Sequence, residues 1–240
     1  MKSINNFINS YFDQVYVINL DIRTDRMKIV DTLLTEYNIN YKRISGVYLK
    51  NKYEDVPNVH TKTSSLGIVG CLLSHLKCLQ DSKDNNYNRV LVLEDDIKFL
   101  DDHIKRIDFK TLWDDIQTVN WDLFYLGATF NDKLKKISAY LDEPTGEVWA
   151  TQSIGYNKQI RDKILDSMPQ DPDFYMKGNR HQNVVPIDVI LQKSFTYKKR
   201  IAVNPIVCIQ NDTPSDIVQP DLFQDNGEYQ LVRWHRNRSL

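Results

Sequence analysis

Three consecutive carboxylates, Glu94-Asp95-Asp96, follow directly on the apolar run Val90-Leu-Val-Leu93. Such a run suits a strand buried inside a parallel sheet. Ionised carboxylates at its end repel one another unless a cation or a cationic ligand neutralises them, and a divalent metal explains the cluster economically. Side chains alternate along a strand, so Glu94 and Asp96 are expected to face one crevice and Asp95 the other way. The same acids also suit a solvated loop or the cap and first turn of a helix. A cationic pair, Arg23 and Arg26, lies three residues apart at an expected helix start. That spacing sets both guanidiniums on one side, near helix N-terminal amides that favour phosphate, although two ordinary surface arginines would look the same. Carboxylates and bridging phosphates together hold magnesium or manganese, which prefer oxygen.

The elements that must position these groups are legible in outline. Residues 14–20, Gln-Val-Tyr-Val-Ile-Asn-Leu, read as a strand, followed by a turn over 21–27 and a helix through Ile29, Val30, Leu33 and Leu34. A short strand is expected over 40–47. A helix opens near Ser64 or Ser65 and buries Ile68, Val69, Leu72, Leu73, Leu76 and Leu79. After the acids, one helix is expected over 99–118 and a strand over 121–127. Residues 133–141 and 148–156 should pair as a hairpin or as edge strands around the turn signal Asp142-Glu-Pro-Thr-Gly-Glu147. A helix over 158–168, an aperiodic loop over 169–184 and a last strand over 200–210 complete the pattern. Alternation of this kind predicts an α/β fold, in which ligands bind beyond the carboxyl ends of the strands. Asn19–Arg26 and Glu94–Asp96 both fall at that edge.

The chain of 240 residues is 41% hydrophobic and 26% charged, with a formal net charge of −1. It is read as one domain over 1–240, with 211–240 wrapping the domain or fraying. The charge argues against wholesale nucleic-acid binding, and no apolar stretch reaches the ~18 residues of a membrane span. Without an apolar leader at the N-terminus, a cytoplasmic location is expected. Cys71, Cys78 and Cys208 are read as reduced core residues, because they lack zinc spacing. His75 reads as a packed helix residue. Asp188 and Asp216 stand out by position, each as a catalyst or a helix cap. Neither a dinucleotide fingerprint nor a P-loop lysine motif is present.

Taken in order, Val15–Leu20 with Arg23 and Arg26, Gly67–His75, Val92–Asp96, Trp121–Gly127 and Val207–Ile217 resemble the family 25 glycosyltransferases, the lipopolysaccharide-type and procollagen galactosyltransferase group. The resemblance implies a GT-A-type fold: a mostly parallel central sheet flanked by helices, with a small mixed or antiparallel portion. It implies inverting transfer of a hexose, galactose or glucose, from a UDP-sugar to a glycan or protein-linked hydroxyl, with manganese or magnesium. By position, Ile18, Asn19 and Leu20 would contact the nucleoside, with Arg23 and Arg26 near the diphosphate. Glu94 would face ribose or sugar hydroxyls. Asp96, with Asp95 or Glu94 beside it, would hold the metal, and Gln210 or Asp216 is open as the third ligand. Gly67 and Gly70 would let the helix backbone approach the donor, supported by Ser74 and His75. Inversion also requires a general base, for which Asp188 is the first candidate and Asp216 the second. A metal-dependent nucleotidyl or phosphotransfer enzyme would want the same acids and arginines. A glycan-binding protein that has lost turnover would keep the same fold.

Overall fold

The computed structural model describes residues 3–53, 63–131, 134–176, 186–193 and 199–211. Eight strands form one sheet: β1 (Gln14–Asn19), β2 (Lys42–Ser45), β3 (Arg89–Glu94), β5 (Leu123–Phe130), β6 (Leu134–Lys136), β7 (Leu141–Pro144), β8 (Val148–Asn157) and β9 (Arg200–Val203). Their spatial order is β2-β1-β3-β8-β5-β9-β7-β6. β1 runs parallel to both β2 and β3, and β5 parallel to β9, whereas β8 is antiparallel to β3 and β5. β4 (Ile97–Phe99) and β10 (Cys208–Gln210) make a separate antiparallel pair. The sheet is therefore α/β and mostly parallel, with β7 and β8 reversed.

Alternation divides the core cleanly. Tyr16, Val90, Val92, Leu123, Tyr125, Ile154 and Tyr156 share a core with α3 (Lys50–Tyr53), α4 (Thr63–Asp84), α7 (Lys158–Ser167) and α9 (Ile187–Lys193). Val15, Val17, Leu91, Leu93, Phe124 and Leu126 face α1 (Ile4–Tyr11), α2 (Thr24–Glu36) and α6 (Phe109–Gln117). Burial on both faces explains the near-continuous apolar runs of β3 and β5.

Five points of the sequence reading need correction. The N-terminal helix α1 was not anticipated, although Ile4, Phe7, Ile8 and Tyr11 carry its i, i+3, i+4, i+7 stripe. The single helix over 99–118 is instead the end of β4, α5 (Asp101–Ile104) and α6. Asp108 divides it by accepting from the Lys110 amide and the Thr111 hydroxyl, which caps α6. The strand over 200–210 breaks at Asn204-Pro205, and its second half leaves the sheet to pair with β4. The pairing of 133–141 with 148–156 does not occur: β6 pairs with β7, and β8 lies mid-sheet between β3 and β5. Within the expected loop over 169–184, Pro172–Met176 forms the short helix α8.

A glycine decides where the detached strand goes. A Cβ on Gly127 would stand 1.6 Å from the Cys208 carbonyl oxygen, so β10 crosses β5 in contact with its bare backbone. Gln210 is thereby carried to the end of β3.

Candidate active site

β1 and β3 end level, with Ile18 opposite Glu94, and β2 brings Ser45 beside Asn19. β8 runs the other way, so its first residues extend past the end of β3, where Thr151 donates to Glu94 Oε1 at 2.8 Å. The carboxyl edge of the sheet thus gathers residues far apart in sequence.

The strand ends at Glu94, and Asp95-Asp96 turn out of it. Asp95 points toward β1 and α2, where Asn19 Nδ2 donates at 2.7 Å and Arg26 Nη1 at 2.9 Å. Arg26 Nη1 also lies 3.6 Å from Asp96 Oδ2, so an internal cation serves two of the three acids. Arg23 diverges from it, binding Asp25 through Nε and Nη2 at 3.0 Å each. Arg23 and Arg26 thus bind different carboxylates. Arg43, a residue with no sequence signal of its own, ties Asn19 Oδ1 to Asp21 at 3.0 and 2.5 Å, and Ser45 donates to the same Asp21 carboxylate at 2.7 Å.

Asp96 accepts at Oδ2 from Gln210 Nε2 at 2.9 Å, while its Oδ1 is buried with no hydrogen-bond partner among the described residues. Burial first, then the nearby Glu94 charge, pushes the Asp96 carboxyl up to about 7. Burial also raises Asp95 against its bonds to Asn19 and Arg26. At Glu94 the penalty of burial is outweighed by His75 and Thr151, which hold the carboxyl below its ordinary value. Gln152, next to Thr151, is buried with neither amide atom bonded among the described residues.

On the α4 side, His75 Nε2 lies 3.5 Å from Glu94 Oε1 and its Nδ1 3.1 Å from the Tyr156 hydroxyl. Gly70 packs against the Val47 carbonyl oxygen, 2.5 Å from where a Cβ would sit. Ser74 locks that approach by donating to the Gly70 carbonyl and accepting from the Val47 amide. Ser74 and Gly70 thus hold the segment after β2 against the helix, while Gly67 lies one turn before them. Asp188, near the start of α9, accepts from the Ala150 amide at 3.1 Å and the Val189 amide at 2.8 Å, and burial raises its carboxyl. Ala150 has φ 71°, a left-handed backbone in which Asp188 holds it. Ile18 and Leu20 flank Asn19, Ile18 packed against the α4-side core and Leu20 against Gly46. Asp216 and the segment 212–240 lie outside the described residues, as do 177–184.

Residues 12–143, over half of the chain, match glycosyltransferase family 25 (LPS biosynthesis protein). The chain is 33% identical over 133 residues to procollagen galactosyltransferase 1-A of Xenopus laevis, a match covering 48% of this chain and 21% of that protein. It is 34% identical to the inactive glycosyltransferase 25 family member 3 of Mus musculus, covering 48% and 22%. A glycosyltransferase 25 family member of Anopheles gambiae is 31% identical over 194 residues, covering 70% and 32%. The chain therefore spans about a fifth to a third of the length of these relatives. The matched region contains β1, the two arginines, α4 and the Glu94-Asp95-Asp96 turn, and on this match the chain belongs to glycosyltransferase family 25.

Proposed function

We propose that this chain is an inverting glycosyltransferase that moves a hexose from a UDP-sugar to a hydroxyl of a glycan or glycosylated protein, with a divalent cation. The observation that carries this reading is the Asp96 Oδ1 atom, buried at the carboxyl edge of the sheet without a partner among the described residues. A hard oxygen left in that state fits manganese or magnesium. Asp96 and Glu94, with Gln210 beside them, would hold the ion, whose charge would offset that developing on the leaving diphosphate.

The chain's own groups supply the rest. Arg26 fixes Asp95 and Asp96 in place, and Asn19 fixes Asp95 from the β1 side. Asp188 is the general base of this reading. It takes the proton of the acceptor hydroxyl as that oxygen bonds to the anomeric carbon and the sugar–phosphate bond breaks, its electron pair leaving with UDP. Burial raises Asp188 toward the basicity such a step requires. The mouse relative's name gives a second reading, a glycan-binding protein without turnover.

Incubation with UDP-galactose or UDP-glucose, manganese and glycan acceptors tests the first reading. Release of UDP with a glycosylated product is expected, lost in Asp188→Asn with UDP binding retained. Release of pyrophosphate from a nucleoside triphosphate would point to nucleotidyl transfer. Glycan binding with no donor consumption would establish the second reading.

A further inference from the structure

The wall of the crevice formed by α4 presents a donor set unlike the carboxylate turn. Cys71 Sγ, His75 Nε2 and a Glu94 carboxylate oxygen lie within 4.8 Å of one another. Cys71 and His75 are four apart on one helix and so share a face, and Glu94 meets them from the end of β3. The geometry points to a binding site for a zinc-class divalent cation held by Cys71, His75 and Glu94. It goes beyond the proposed transferase activity and does not depend on it.

Donor chemistry separates this site from the Asp96 oxygen. Thiolate, imidazole and carboxylate together select zinc over magnesium or manganese, which prefer oxygen. Zinc bonds of about 2.0–2.3 Å in a tetrahedron put donor atoms about 3.3–3.8 Å apart. His75 Nε2 and Glu94 Oε1 already stand 3.5 Å apart, so small side-chain movements close the set. The supporting contacts that such sites use are also in place. The Tyr156 hydroxyl, 3.1 Å from His75 Nδ1, can accept a hydrogen bond from Nδ1–H, the tautomer whose Nε2 lone pair would bind the ion. Thr151 donates to the same carboxylate oxygen and orients it. Cys71 and Glu94 are both half-buried, which leaves a path for the ion and a fourth position for water. Loading displaces the thiol proton to solvent and involves no change of oxidation state.

Cobalt(II), titrated into the full chain with magnesium in excess, is the probe. One equivalent is expected to give a near-ultraviolet thiolate-to-cobalt absorption that equimolar zinc abolishes. Cys71→Ser and Cys71→Ala should both lose the band, with zinc affinity lowered by at least the roughly 10–100-fold that loss of an outer-shell partner costs and the metal-free thermal midpoint unchanged. In the wild type, zinc should block alkylation of Cys71 mapped by mass spectrometry, a readout that needs no variant. Absence of the band would overturn the site, as would its survival in both variants or unchanged Cys71 alkylation under zinc. If transfer is present, zinc should oppose it by taking Glu94.

Discussion

Arg161 and Asp96 are both buried charged residues, and their surroundings differ in completeness. Arg161, on α7, donates to Asp162, to the carbonyl and hydroxyl of Ser82 and to the Tyr87 carbonyl at 2.5–3.1 Å. It fastens the end of α4 and the approach to β3, and its buried charge is matched by acceptors. Asp96 has Gln210 and the more distant Arg26 on one oxygen and nothing on the other among the described residues. A satisfied buried charge holds structure, whereas an incompletely satisfied one at a strand end is poised for a ligand and carries a stability cost without it.

The contrast can be broken in four ways. Asp96→Ala should lower transfer by about 10²–10³-fold with little loss of thermal midpoint, read from kcat and a melting curve on the same sample. A large loss of stability instead would make Asp96 structural like Arg161. Arg161→Met should cost about 3 kcal/mol in denaturant unfolding and leave kcat of the folded fraction unchanged. Gly127→Ala should affect both sides at once. By pushing Cys208 and β10 off β5, it should cost about 2 kcal/mol and remove the Gln210 bond to Asp96, visible as weaker cation binding.

The smallest effect is in pH. The Asp96 carboxyl is raised in the fold, so the native state holds a proton that the unfolded chain has already released. Stability from this group is therefore present below the ordinary aspartate range and is lost as pH rises toward about 7. Asp96→Asn should gain stability relative to wild type between pH 5 and pH 8, on the order of 1–2 kcal/mol. A pH-independent difference would mean that the carboxylate is solvated.

The sequence read well wherever local pattern decides the outcome. The apolar runs of β1, β3 and β5, and the acids that terminate β3, follow from burial on both faces. What it did not show are partners chosen by the fold. Nothing in the spacing of Arg23 and Arg26 says that one would turn outward to Asp25 and the other inward to Asp95. β8 was placed at an edge because its turn signal suggested a hairpin. Its insertion between β3 and β5 is a long-range pairing that period two cannot specify. Cys71 and His75 were read separately, as a reduced core thiol and a packed helix residue, and Glu94, which meets them, lies on another element.

The close passage of β10 over Gly127 bears on the order of events during refolding. Gln210 reaches Asp96 across 114 residues, and Asn211 donates its amide to the Asp96 carbonyl. Contacts of such sequence separation bear the largest loop-closure entropy and form late. The aromatic cluster of Phe7, Tyr11, Trp121 and Phe124 closes over a similar separation, Trp121 donating to the Tyr11 hydroxyl 110 residues away, and so belongs to the same late phase. During refolding, Trp121 fluorescence should therefore recover together with cation binding, so that the Trp121 signal reports a chain whose site is complete.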